Sequence, residues 1–163
     1  MTTMRKPTGR IQLALNVADL AAAVRVYSDM FGTGPNKERP GYANFAIADP
    51  PLKLVLFENP DATSPLNHLG VELDSSVDVG SVAARFTGAG LEHTQSVVDR
   101  CCHAVQDKVW VSVPDVPLGA WEFYTVLDDD AGTSCTDDTD SAGVCCAGDS
   151  ADEAPCCGVG RGA

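Results

Sequence analysis

Two stretches of this chain, residues 8–62 and 64–130, run through the same succession of patterns: a strand, an amphipathic helix, then two or three further strands. This repeat constrains the fold more tightly than composition does, because one such unit cannot bury its sheet alone and calls for its copy. In the first unit Ile11, Leu13, Leu15 and Val17 alternate and mark one face of a strand over residues 10–17. Asp19 can cap the helix that follows, in which Leu20, Val24, Tyr27 and Phe31 recur at helical spacing up to Gly32. Residues 35–40 read as loop, 42–47 and 53–57 as strands joined through Asp49-Pro50-Pro51, and 59–65 as linker. In the second unit residues 67–73 read as a strand, and Val79, Val82, Ala83 and Phe86 as a helix stripe closed by Gly88 and Gly90. Strands follow at 91–98, 104–112 and 120–127. The fold predicted is α+β: two βαβββ modules in a single domain over residues 8–130, each curved sheet covering the other. Residues 131–163 contain no aromatic, Leu or Ile, and read as a disordered, acidic, Cys-rich tail.

A net charge of −12 argues against nucleic acid, since nothing here could neutralise a run of phosphates. No stretch approaches the roughly 18 apolar residues of a membrane span. Residues 1–10 lack the apolar segment of a secretory signal, so the chain is expected in the cytoplasm with its cysteines reduced. Six of the seven cysteines form three adjacent pairs: Cys101-Cys102, Cys145-Cys146 and Cys156-Cys157. Paired thiolates suit soft, thiol-seeking ions such as trivalent arsenic, cadmium or mercury better than Mg or Ca.

Strand parity brings three polar residues to one place. With Leu13, Leu15 and Val17 turned to a helix, Gln12 faces the other way. Laying the units together sets Gln12 on His68, 56 residues on, with Gly70 leaving space beside it. Trp121, Phe123 and Thr125 share one face of the last strand, while Glu122 and Tyr124 share the other. One nitrogen and two oxygen donors with open positions approximate the facial triad of mononuclear Fe(II) oxygenases, with one His replaced by Gln. Each residue also has a plain structural reading: Gln12 as a strand residue bonded to a neighbour, His68 as a core histidine. Glu122 in an apolar run costs several kcal/mol to bury unless paired or metal-bound, and is the strongest of the three. His93 begins an exposed strand, and His103 adjoins the thiols, where it either lowers their pKa or packs.

These segments resemble the vicinal oxygen chelate superfamily of glyoxalases, extradiol dioxygenases and antibiotic-resistance proteins. The resemblance runs through Leu-Asn-Val-Ala-Asp-Leu (15–20), Val-Tyr-Ser-Asp-Met-Phe-Gly (26–32), His68-Leu69-Gly70 and Trp121-Glu122-Phe123-Tyr124. The run from Cys101 to Val111 with that from Trp121 to Leu127 is similar to the organoarsenical carbon–arsenic lyases and the allied cadmium-inducible proteins.

The resemblance implies a barrel-like site in which Gln12, His68 and Glu122 bind Fe(II). O2 would be co-substrate, and Cys101 and Cys102 would capture a trivalent organoarsenical such as methylarsenite or an aromatic arsenical. It implies no catalytic residue beyond the ligands, with His103 and Tyr124 as accessory groups, and it allows a homodimer. Glyoxalase I, similar in layout, needs a further carboxylate from the last strand of the first module. Leu54 stands there in this reading, with Glu58 out of reach at the strand end. Adjacent cysteines in a regular strand point apart, so bidentate capture calls for a mobile loop over residues 97–103. Cys145, Cys146, Cys156 and Cys157 either scavenge metalloid or are dispensable. Two further readings are a thiol protein that sequesters cadmium or arsenic without turnover, and an extradiol-type dioxygenase. In the last the thiols would be idle and easily oxidised.

Overall fold

The computed structural model describes residues 9–100, 103–113 and 120–129. Of the loop expected over residues 97–103, residues 97–100 are instead the end of a strand, His93–Arg100, while Cys101 and Cys102 and the expected tail with its two cysteine pairs lie outside the described residues.

The first module is β1 (Arg10–Val17), α1 (Leu20–Phe31), β2 (Lys37–Arg39), β3 (Tyr42–Ile47) and β4 (Leu52–Glu58). The second is β5 (Leu66–Glu72), α2 (Ser76–Ala89), β6 (His93–Arg100), β7 (Val105–Ser112) and β8 (Ala120–Asp128). The α+β class and the repeat are as expected. One element was missed: the loop at 35–40 contains β2, a three-residue strand that pairs Lys37 with Asn44.

Helix α1 begins and ends where the sequence places its caps, and α2 ends at one of the two glycines expected to close it. Asp19 accepts a bond from the Ala22 amide, and Gly32 closes α1 in the left-handed conformation at φ 65°. Ser75 accepts from the Asp78 amide, and Gly90 (φ 69°) closes α2. Gly88 lies inside that helix, so Gly90 alone is its stop.

The eight strands form one sheet in the order β2-β3-β4-β1-β5-β8-β7-β6. Exchanging each strand for its counterpart in the other module reverses this order, so the sheet carries a pseudo-twofold axis between β1 and β5. The two curved sheets expected to cover one another are thus halves of a single sheet, joined edge to edge by antiparallel β1–β5 pairing. The far ends curl inward. The His103 ring stacks on Tyr42 of β3 at 3.8 Å, and Lys37 of β2 donates to the backbone carbonyls of His103 and Asp129.

One face of the sheet is covered by helices. Leu20, Phe45, Leu54 and Leu56 form a core against α1, while Val79, Val82, Phe86, Val109 and Val111 form one beneath α2. The opposite, concave face carries the polar residues. Among the described residues no helix is long and apolar enough to cross a membrane.

Candidate metal centre

Gln12 lies on β1, His68 on β5 and Glu122 on β8, all on the concave face and 5%, 8% and 5% exposed. Register brings them together, since Gln12 and Glu122 both pair with Gly70 from opposite sides of β5. Gln12 Nε2 lies 2.7 Å from His68 Nε2 and 3.0 Å from Glu122 Oε2, and the two last atoms are 3.2 Å apart. Three side chains from three strands therefore aim their polar ends at one point.

That convergence depends on the glycine between them. A Cβ on Gly70 would stand 2.9 Å from the Glu122 carbonyl and 3.2 Å from Gln12 Nε2. Gly70→Ala is expected to push β8 and Gln12 apart, costing about 1–3 kcal/mol. Urea unfolding and a Co(II) titration of that variant would read both consequences, stability and donor geometry.

The donor set fits Fe(II). Among the described residues no three His, Cys, Asp or Glu side chains group as metal ligands, so the third donor at this point is the Gln12 amide. An amide ligates through oxygen, and a half-turn of its terminal torsion exchanges Oε1 with Nε2. A buried carboxylate whose bonded partners here are an amide and an imidazole is a place where a cation is favoured.

The position expected to be Leu54 needs correcting. Leu54 is 1% exposed and belongs to the core beneath α1. Glu122 pairs with Gly70, and 56 residues before Gly70 is Ala14, which pairs with Val55. The counterpart of Glu122 is therefore Val55, one residue on. No carboxylate stands at either position, and Glu58 instead accepts a bond from the Leu20 amide at 3.0 Å.

A cavity of about 50 Å³ opens in front of the three, bordered by Tyr42, Phe57, His103 and Tyr124 among others. It has room for a few water-sized groups. The Tyr124 hydroxyl is buried without a hydrogen-bond partner among the described residues, so it is free to donate into this space. Burial first, then the Glu72 and Glu122 carboxylates, raises its pKa well above the usual value. Trp110 packs edge-on against His68 at 5.2 Å, and Phe57 lies 6.4 Å away. Lys53, on the same face, is 6% exposed, and its pKa is lowered by burial, partly offset by Glu72 at 3.9 Å. Strand parity around Gln12 and Glu122 could have flagged Lys53 and Trp110. Tyr42 and Phe57 gave no such signal.

His103 packs, with its ring stacked on Tyr42. Burial, followed by the nearby Lys37 and Arg39, lowers its pKa from 6.5 to about 4, so near neutrality it lends no positive charge. With the folded value below the unfolded one, the unfolded chain binds the extra proton between pH 6.5 and about 4. Stability from this group is full above that window and is lost as pH falls through it. His103→Phe keeps a ring on Tyr42 and is expected to flatten this part of a stability-against-pH curve, measured by urea unfolding.

Ahead of the cysteine pair, β6 bulges between Ser96 and Asp99. Val98 there adopts φ 52°, unfavourable for a β-branched residue, with its amide donating to Asp107 Oδ1 at 2.7 Å.

A paired βαβββ sheet with metal-type donors on its concave face defines a class, and the comparisons with known proteins identify it. The chain belongs to the Glyoxalase/Bleomycin resistance protein/Dioxygenase superfamily, whose model matches residues 10–117. It is 58% identical over 120 residues to the cadmium-induced protein CadI of Mycobacterium tuberculosis, covering 74% of this chain and 78% of that one. It is 52% identical over 132 residues to a trivalent organoarsenical cleaving enzyme of Thermomonospora curvata, covering 80% and 85%. Among solved structures, methylmalonyl-CoA epimerase from Mycobacterium tuberculosis matches with TM-score 0.51 at 15% identity, over 77% of this chain and 93% of that one. An extradiol ring-cleaving dioxygenase from Brevibacterium fuscum matches with TM-score 0.50 at 21% identity, over 72% and 32%. At these identities the structural matches establish the fold alone.

Proposed function

We propose that this protein is a cytoplasmic Fe(II)- and O2-dependent lyase that cleaves the carbon–arsenic bond of trivalent organoarsenicals, releasing arsenite. The observation that carries the reading is the buried convergence of Gln12, His68 and Glu122 on a cavity bordered by His103, the first described residue after Cys101 and Cys102. The relative named as a trivalent organoarsenical cleaving enzyme supports the substrate class.

Gln12, His68 and Glu122 would hold the iron, which when bound supplies oxygen activation for a bond that resists hydrolysis. Glu122 balances its charge. Trp110 and Phe57 keep bulk water off the His68 side, and the Tyr124 hydroxyl offers a hydrogen bond to an oxygen in the cavity. Cys101 and Cys102 take the arsenic of methylarsenite in two exchanges. Two As–S bonds form, two As–OH bonds break, and the thiol protons leave with the hydroxyls as two waters. The methyl group stays on arsenic and is placed by the thiols, and positioning of this kind can supply much of a rate gain. A reducing cytosol keeps both thiols available.

A second reading is sequestration of cadmium or arsenic without turnover; a relative is named for its induction by cadmium. Oxygen consumption separates the two. The lyase consumes O2 only when Fe(II) and methylarsenite are both present, whereas a sequestering protein consumes none.

A further inference from the structure

His68 does not stand alone behind the metal centre. Its Nδ1 lies 2.7 Å from Asn67 Oδ1, Asn67 Nδ2 donates to Asn16 Oδ1 at 2.9 Å, and Asn16 Nδ2 donates to the Ser64 carbonyl at 3.0 Å. Ser64 sits in the linker between the modules, and the neighbouring Pro65 carbonyl accepts from the Asn16 amide at 2.8 Å. The connection between modules is thus tied to the end of β1, and through two amides to the imidazole.

The direction of this chain is set from its far end. A backbone carbonyl only accepts, so Asn16 must turn its NH2 to Ser64, leaving its oxygen for Asn67. Asn67 must then turn its NH2 to Asn16, leaving its own oxygen for His68. An oxygen there requires a hydrogen on Nδ1, so in the neutral ring the Nε2 lone pair faces Gln12 and Glu122. At Nε2 the two neighbours pull opposite ways: the Gln12 amide nitrogen, a donor, is the closer at 2.7 Å and agrees with a lone pair there, while Glu122 Oε2 at 3.2 Å is an acceptor and favours a hydrogen until a cation lies between them.

We propose that Asn67 is a positioning residue: anchored through Asn16 to the Ser64 carbonyl, it fixes the His68 tautomer whose Nε2 is free to ligate metal. This rests on His68 being a ligand. Outer hydrogen bonds of this type typically change metal affinity 10–100-fold. The Ser64 end makes the linker part of the site and ties the ligating histidine to the junction between modules.

The test is imidazole nitrogen NMR on histidine-labelled protein without added metal, tractable because the chain has three histidines, joined to Co(II) titrations. In the wild type the His68 hydrogen is expected on Nδ1. In Asn67→Leu the ring is expected to become a tautomer mixture and Co(II) affinity to fall about 10–100-fold. Asn67→Asp loses the donor to Asn16 but presents only acceptors to Nδ1, and is expected to keep the tautomer. Asn16→Leu, which touches no ligand, is expected to relax the tautomer as well. A wild-type His68 carrying its hydrogen on Nε2, or an Asn67→Leu protein with tautomer and Co(II) affinity unchanged, would overturn the proposal. The NMR result is independent of the metal. A wild type that binds no Co(II) yet shows the Nδ1 hydrogen would count against the metal centre while upholding the tautomer assignment.

Discussion

Glu122→Gln is expected to raise the stability of the protein without metal by about 1–3 kcal/mol while lowering its divalent-metal affinity more than a hundredfold. The opposite signs follow from the burial of this side chain. Glu122 is 5% exposed and bonded to Gln12, with His68 beside it. A glutamine of the same shape, with its carbonyl oxygen in the place of Oε2, can still accept from Gln12, and a buried charge is removed. The metal loses its charged ligand, which costs more than an outer hydrogen bond. Urea unfolding in chelator and a Co(II) titration read the two quantities separately. A less stable variant with unchanged affinity would make Glu122 a structural carboxylate.

The second large effect concerns the thiols. Cys101→Ser and Cys102→Ser are each expected to lower affinity for methylarsenite about 10²–10⁴-fold, and the double variant, with no As–S bond left, to lower it further. Once one thiolate holds arsenic, the second binds it intramolecularly, at an effective concentration far above that of free ligand. Either substitution removes that advantage entire, so the two singles resemble each other. Titration with methylarsenite under anaerobic, iron-free conditions measures this apart from turnover. Single variants within tenfold of wild type would show that arsenic is held by one thiol or elsewhere. The pair follows Arg100, the last residue of β6, and precedes His103, which borders the cavity.

Much of the scaffold was legible because its signals are local. Alternation over residues 10–17 gave β1 and its faces, and Asp19, Gly32 and Gly90 cap helices by bonds within a few residues. The repeat then carried Gln12 onto His68, and parity in Trp121-Glu122-Phe123-Tyr124 separated the helix face from the site face. Legibility failed where the pattern was too short or unbroken. Lys37-Glu38-Arg39 has no apolar residue to mark a face, and its strand character comes from pairing with β3. In Leu54-Val55-Leu56 all three are buried, so parity gives no phase, and the counterpart of Glu122 fell one residue off. The support of His68 was out of reach for another reason. Asn67 and Asn16 are 51 residues apart, and neither is unusual in a strand. His103 could be placed beside the thiols, but its stacking on Tyr42 depends on the curl of the whole sheet.

The central claim is that this site breaks a carbon–arsenic bond. The most direct test loads the anaerobic protein with Fe(II), adds methylarsenite, admits O2 and quantifies inorganic arsenite by arsenic speciation. Arsenite formed only when iron and oxygen are both present, and absent in Glu122→Ala and Cys102→Ser, is the predicted result. Methylarsenite tightly bound but recovered intact would contradict the lyase and leave a thiol-based sequestering protein in its place.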